Sequence, residues 1–202
     1  MASSLIIKRL RTRHVGPVSL EIAPAECVTL SGPSGSGKTL LLRAIADLDR
    51  HEGEVLLNGV ACSDMRAHEW RMQVGLLPAE SHWGGERIGD HFHNSEEAVL
   101  AQLGFTDEVM SWEVARCSTG ERQRLALARL LQNHPKVLLL DEPTASLDAE
   151  NVTRVEALIE RLRREQEVAV LWVSHDSAQA RRVGTRFMRI EGGQLQEVSS
   201  WE

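Results

Sequence analysis

Three runs in this chain hold residue types at spacings that can do chemistry. The first is Gly32-Pro33-Ser34-Gly35-Ser36-Gly37-Lys38-Thr39, followed by Leu40. It satisfies G-x-x-x-x-G-K-[S/T], in which glycines let successive backbone N–H groups point inward at a phosphate. A helix opening after Gly37 would add the positive end of its dipole. Lys38 can bridge the β- and γ-phosphates as a point charge, and the Thr39 hydroxyl can ligate Mg²⁺. The second run is Val137-Leu138-Leu139-Leu140-Asp141-Glu142, four apolar residues ending on two carboxylates. Asp141 there can hold Mg²⁺ through a water, and Glu142 can orient and deprotonate an attacking water. The third is Cys117-Ser118-Thr119-Gly120-Glu121-Arg122-Gln123-Arg124, just upstream of that apolar strand.

These residues need a scaffold, and the pattern predicts one. Short β-rich runs alternate with helical ones, which reads as an α/β sheet. Leu5–Leu10 and Val18–Ile22 read as strands around a turn at Gly16-Pro17. Val28–Leu30 runs into the glycine-rich loop, and Leu40–Leu48 reads as a buried helix after it. Val55–Leu57 and Val74–Leu77 are further short strands. Residues 79–117 read as a small helical insert, with Ser95 as an N-cap and Gly104 as a stop. A helix from Thr119 carries Leu125, Ala128 and Leu131, and Asn133-His134-Pro135 ends it. Val137–Leu140 is expected to be a central strand buried on both faces. A long amphipathic helix follows, with Val152, Val155, Leu158, Ile159 and Leu162 on one face. Val168–Val173 is another buried strand, leading to Ser174-His175-Asp176. Phe187–Ile190 and Gln194–Val198 read as a hairpin.

Composition narrows the classes. The chain has 202 residues, 42% hydrophobic, enough for a real core. A net charge of −6 argues against broad nucleic-acid binding, which needs a basic face. Cys27, Cys62 and Cys117 lie far apart without a metal-type or disulfide-type pattern, which fits a reducing cytoplasm. No signal peptide is evident, and no apolar run is long enough to span a membrane.

Together the three runs resemble the nucleotide-binding subunit of the ATP-binding cassette (ABC) family, over roughly residues 5–198. Gly32–Thr39 is similar to the Walker A loop, Ser118-Thr119-Gly120-Glu121 to the signature loop and Leu138–Glu142 to Walker B. Ser146-Leu147-Asp148 is similar to the D-loop, and His175 to the switch histidine. The resemblance implies a P-loop NTPase fold: a RecA-like core with an antiparallel β subdomain, plus a small helical insert. It implies one nucleotide-binding domain over 1–202, with the core at 1–78 and 118–202 and the helical subdomain at 79–117. It also implies ATP and Mg²⁺ as ligands and hydrolysis powering an integral-membrane transporter subunit. The chain would work at the cytoplasmic face of the membrane, bind no nucleic acid, and pair head to tail with a second copy around two ATPs. Ser118 and the N–H groups near Gly120 would then meet the γ-phosphate held by the other copy, with Ser146 and Asp148 at the dimer contact. Glu142 and His175 would be catalytic.

The chain departs from that pattern at several points. Cys117 and Thr119 replace the usual leucine and first glycine of the signature. Ala79 stands where the family has a metal-touching glutamine, and the neighbouring Glu80 is the candidate substitute as an oxygen ligand. No tyrosine exists to stack on adenine, which leaves Arg11-Thr12-Arg13-His14 as the matching stretch. Leu40 occupies a position where a second hydroxyl is common. The short insert and the Leu41–Leu48 run resemble compact ATPase subunits assigned to metal (iron) export. Trp83 and Phe92 are candidate anchors for a membrane partner, or else core of the insert. Two other classes compete. A soluble ABC ATPase acting on DNA or ribosomes would be expected to carry long inserts or a second cassette. A phosphate-loop kinase or GTPase would leave the signature run unexplained.

Overall fold

The computed structural model describes residues 4–93 and 97–199. Strand β1 (Leu5–Arg11) pairs antiparallel with β2 (Val18–Ile22). Next come β3 (Cys27–Ser31), helix α1 (Lys38–Ile45), β4 (Glu52–Leu57) and the two-residue β5 (Val60–Ala61). Helix α2 (Ala67–Gln73) leads into β6 (Val74–Leu77). The insert holds α3 (Glu97–Gln102) and three single-turn 3₁₀ segments. Then follow α4 (Thr119–Leu131), β7 (Val137–Asp141), α5 (Ala149–Gln166), β8 (Ala169–Val173) and α6 (Ser177–Val183). The last hairpin is β9 (Arg186–Glu191) and β10 (Gln194–Val198).

Two sheets result. One is antiparallel, in the order β2-β1-β4-β5, and the other runs β10-β9-β3-β8-β7-β6. In the second, β6, β7, β8, β3 and β9 are mutually parallel, and β10 closes the edge antiparallel to β9. A parallel sheet is covered on both faces, so its central strands are near-continuous apolar runs. All five residues of β7 and all five of β8 are buried. The two-residue period then splits them between two cores. Val137, Leu139, Ala169, Leu171 and Val173 face α1 and the antiparallel sheet. Leu138, Leu140, Val170 and Trp172 face α4, α5 and the insert.

Several expectations shift. The helix expected over Leu40–Leu48 occupies Lys38–Ile45, and Leu48 lies exposed beyond its end. Helices α2 and α6 were not expected from the sequence pattern. The insert is less helical than expected, because its turns are single 3₁₀ segments tied to one another through Ile88 N–Trp112 O and Val114 N–Glu86 O. The Ser95 cap lies outside the described residues. Gly104 does end α3: at φ 83° it sits where Phe105 N reaches back to Leu100 O (2.9 Å) and Gly104 N to Ala101 O (3.0 Å). That pair of bonds is a Schellman ending. Trp83 and Phe92 are partly buried against the second core. Arg129 of α4 stacks on the Trp83 ring at 4.3 Å and His91 meets its edge at 5.0 Å, so Trp83 packs where the insert meets α4.

Candidate nucleotide site

The loop between β3 and α1 is shaped for an anion. Gly37 precedes α1 at φ 96°, and the helix has no side-chain cap and no acidic residue in its first turn. Its first backbone N–H groups therefore lack a side-chain acceptor, and an anion satisfies both them and the helix dipole. Gly32 stands at φ 147°, and a Cβ there would come within 2.5 Å of Ile190 O. Ser36 Oγ is buried without a partner. Lys38 is 7% exposed, and its Nζ donates to Gly32 O (2.8 Å) and Pro33 O (3.0 Å). The ammonium thus lies inside the loop. Burial lowers its pKa, and the Glu142 and Asp141 carboxylates pull the other way. An added anion would favour the charged form further.

The carboxylates arrive from β7. Thr39 Oγ1 donates to Asp141 Oδ2 at 2.7 Å, joining the first turn of α1 to the end of the strand. Burial raises the Asp141 pKa, the Glu142 charge adds to that, and the Thr39 hydrogen bond and Lys38 oppose it. A hydroxyl and a carboxylate converging on one point suit a hard divalent cation with oxygen ligands. Thr39 and Asp141 are therefore the residues that would hold Mg²⁺. Glu142 follows at φ 48°, its N–H bonded to Val173 O (3.1 Å). A left-handed backbone at a non-glycine residue costs about 1–2 kcal/mol and is typical of functional positions. His175 Nε2 lies 2.8 Å from Glu142 Oε1.

Ser118 and its neighbours form a separate corner. Ser118 caps α4: its Oγ accepts from Glu121 N (3.2 Å), and Glu121 Oε2 accepts from Ser118 N (2.8 Å). This reciprocal capping box lowers the Glu121 pKa, so the group is a carboxylate at neutral pH. Gly120 is there because Ser146 and Leu147 press on it. A Cβ would meet Ser146 O at 2.9 Å and Leu147 Cδ2 at 3.1 Å. Asp148 caps α5 through Asn151 N (2.9 Å), which holds its carboxyl below the ordinary range. The signature corner and the 146–148 loop share a cavity of about 270 Å³. Among the described residues, no hydrogen bond links Ser118–Glu121 to Gly32–Thr39.

Two sequence candidates are exposed at the surface. Glu80 is exposed, with no hydrogen bond or ion pair to Thr39, Asp141 or Glu142 among the described residues. Arg11, Arg13 and His14 are also exposed. Their loop nevertheless borders the phosphate loop, since a Cβ on Gly37 would strike the Val15 side chain and lie 3.8 Å from His14 Cβ. Sequence reasoning gave Gln123, inside the third run, no role of its own and missed Gln179. Buried Gln123 donates to Pro78 O (3.0 Å) and accepts from Ser81 Oγ (3.4 Å), tying the loop after β6 to α4. Buried Gln179 donates to Thr144 Oγ1 (2.8 Å) and accepts from Ser174 Oγ (3.0 Å), tying the segment after Glu142 to the one before His175. Their only sequence signal is the position of each in or beside a motif.

The ABC transporter family model matches residues 15–145. The aliphatic sulfonates import ATP-binding protein SsuB of Cupriavidus necator is 37% identical over 199 residues, covering 94% of this chain and 65% of its own length. SsuB 2 of Pseudomonas syringae pv. syringae is 39% identical over 188 residues, covering 92% and 66%. The chain therefore spans just under two thirds of the length of these curated relatives. Among solved structures, a post-hydrolysis dimer of the ATP-binding cassette MJ0796 bound to ADP and Pi superposes with a TM-score of 0.82 at 22% identity, covering 98% of this chain and all of that one. A bacterial Atm1-family ABC exporter with ATP bound gives the same score and identity, over 97% of this chain and 38% of its own. These likenesses establish the P-loop NTPase fold.

Proposed function

The chain belongs to the ABC transporter family, and from that membership we propose that it is an ATP-hydrolysing subunit driving a separate membrane-spanning partner. The observation that carries the proposal is the division of the site. Loop 32–39, Asp141, Glu142 and His175 cluster on one side. Ser118 and Gly120 sit at the 146–148 loop with no bond to that cluster. A half-site with phosphate donors, and a second corner whose hydroxyl and helix dipole face elsewhere, complement each other between two copies.

In this reading residues 32–40 hold the phosphates, with Lys38 leaving its carbonyls for the β- and γ-oxygens. Thr39 and Asp141 would hold Mg²⁺, which would neutralise charge developing on the transferred phosphoryl group. Glu142 takes the proton of the attacking water, and His175 keeps the carboxylate aimed. Ser118 and Gly120 close over the γ-phosphate of the other copy, with Ser146 and Asp148 at the seam. Hydrolysis removes the shared phosphate and the pair opens, a ligand-biased two-state element. No helix among the described residues is long and apolar enough to cross a membrane; in this reading the chain works at the inner face of the membrane on a membrane subunit. The import names of the relatives favour import over the metal export suggested by the short insert.

Phosphate release with Mg·ATP, and sedimentation with and without nucleotide, test this. Lys38→Ala should weaken ATP binding at least about tenfold, through loss of a charge-assisted contact. Ser118→Ala and Gly120→Ala should weaken ATP-driven pairing while leaving nucleotide binding to the monomer intact. Pairing and turnover unchanged in both would sink the shared-site reading. Copurification with a multi-span membrane protein tests the transport role.

A further inference from the structure

The signature corner contains a charge where phosphate is meant to arrive. Ser118 donates both its backbone N–H and its Oγ–H to Glu121 Oε2, each at 2.8 Å. The serine hydroxyl proton is therefore already committed, and to a carboxylate. Charge-assisted bonds of this kind are about twice as strong as neutral ones. A second observation lies in the same cavity. Arg124 lines it beside Glu121 and is 8% exposed. Its guanidinium stacks on Phe105 at 4.5 Å and donates Nη1 to Leu103 O, yet its Nε is buried without a partner. A buried cation with a spare donor is an acceptor-seeking group next to a carboxylate.

We propose that Glu121 is a positioning residue that gates this corner: it holds the Ser118 hydroxyl and must surrender it before a γ-phosphate from a second copy can dock. The gate has two positions. In one the carboxylate sits on Ser118, as observed. In the other it turns toward Arg124 Nε, and the hydroxyl is free to donate to phosphate. Pairing then pays for breaking a charge-assisted bond and for bringing a phosphate anion near a carboxylate. The inference rests on the shared-site reading above.

The test uses full-length chain carrying Glu142→Gln, in which ATP-bound pairs should accumulate. The ATP concentration for half-maximal pairing is read by sedimentation, with a thermal melt on every variant. Adding Glu121→Gln keeps the capping box, because glutamine serves at that position too. The gate predicts a half-maximal concentration lower by about five- to tenfold, the difference between a charged and a neutral hydrogen bond. Glu121→Ala should lower it as well, despite the lost cap. A purely structural role predicts no change for glutamine and a higher requirement for alanine, and either result overturns the gate. If alanine unfolds the chain, the glutamine variant decides alone. If the Glu142→Gln parent pairs with ATP and glutamine at 121 changes nothing, the gate falls and the shared site stands. If the parent never pairs, the shared site falls and takes the gate with it.

Discussion

Glu142 and His175 stand 2.8 Å apart, Oε1 to Nε2, at the ends of adjacent strands β7 and β8. The contact fixes one carboxylate oxygen and leaves the other for a water. Glu142 is only partly buried, so solvent can reach it. Replacing Glu142 by Gln preserves shape and removes the basicity. Turnover should fall by at least about 100-fold, within the range for loss of a general base. ATP affinity should stay within about twofold, since the residue acts on water rather than on nucleotide. Single-turnover phosphate release and equilibrium nucleotide titration check this. Normal turnover in the variant would remove Glu142 from the mechanism.

Asp141 carries an opposite cost. Burial lifts its folded-state pKa above the unfolded carboxylate value of 3.8. The folded chain thus binds that proton more tightly than the unfolded chain does. The resulting stabilisation is present at low pH and is lost as pH rises through the folded value, so at neutral pH the buried charge is a liability. Asp141→Asn removes the charge and keeps an oxygen for Thr39. Without nucleotide, its melting temperature at pH 7.5 should exceed the parent's by about 2–4 °C, the shift expected for roughly 1 kcal/mol. The gain should shrink on acidification. With Mg·ATP the order should reverse, because the metal ligand is gone. An asparagine variant less stable at every pH would contradict this account.

Glu80 makes no hydrogen bond or ion pair to Thr39, Asp141 or Glu142 among the described residues. It is exposed and its loop is fastened to α4 through Gln123 rather than to Asp141. Glu80→Ala should therefore hydrolyse ATP at the parental rate in the isolated subunit, with unchanged Mg²⁺ dependence. A fall in rate restored by excess Mg²⁺ would put the carboxylate back among the ligands.

The parts of the fold legible in sequence were those with a strong period. The unbroken apolar run of β7 read as a strand covered on both faces, and the helix expected from Thr119 is α4. Helix α2 gave no such signal. Its one buried residue is Trp70, held by a hydrogen bond from Nε1 to Ile45 O at 2.9 Å, a contact that exists only once α1 is in place. The insert was misjudged for a related reason: 3₁₀ turns have no sustained hydrophobic period. At the site, glycines, Lys38, Thr39 and Asp141 were readable because phosphate and metal chemistry demand those types. Gln179 and the tie that Gln123 makes to Pro78 were not, because a polar amide reads as surface until a neighbouring segment buries it.

Gln179 supplies the last prediction. It is 3% exposed and bonds four ways inside α6's contact with the sheet edge. Nε2 donates to Thr144 Oγ1 (2.8 Å) and Glu156 Oε1 (2.9 Å), while Oε1 accepts from Thr144 Oγ1 (3.1 Å) and Ser174 Oγ (3.0 Å). Thr144 lies two residues after Glu142 and Ser174 one before His175, so this side chain sets the spacing of the pair. Gln179→Leu keeps the volume, strands the buried Thr144 hydroxyl and leaves Ser174 Oγ with its bonds to Asp176 alone. Leaving buried polar groups unsatisfied costs about 1–3 kcal/mol each, so the melting temperature should drop by several degrees. The loss should reach the chemistry as well: kcat should fall several-fold while the equilibrium Kd for ATP holds, because the phosphate loop is untouched. Gln179→Glu, which can still accept from both hydroxyls, should recover part of the rate. If the leucine variant melts earlier but turns over at the parental kcat, the network is a structural strut, and the 2.8 Å contact between Glu142 and His175 is held by their own strands alone.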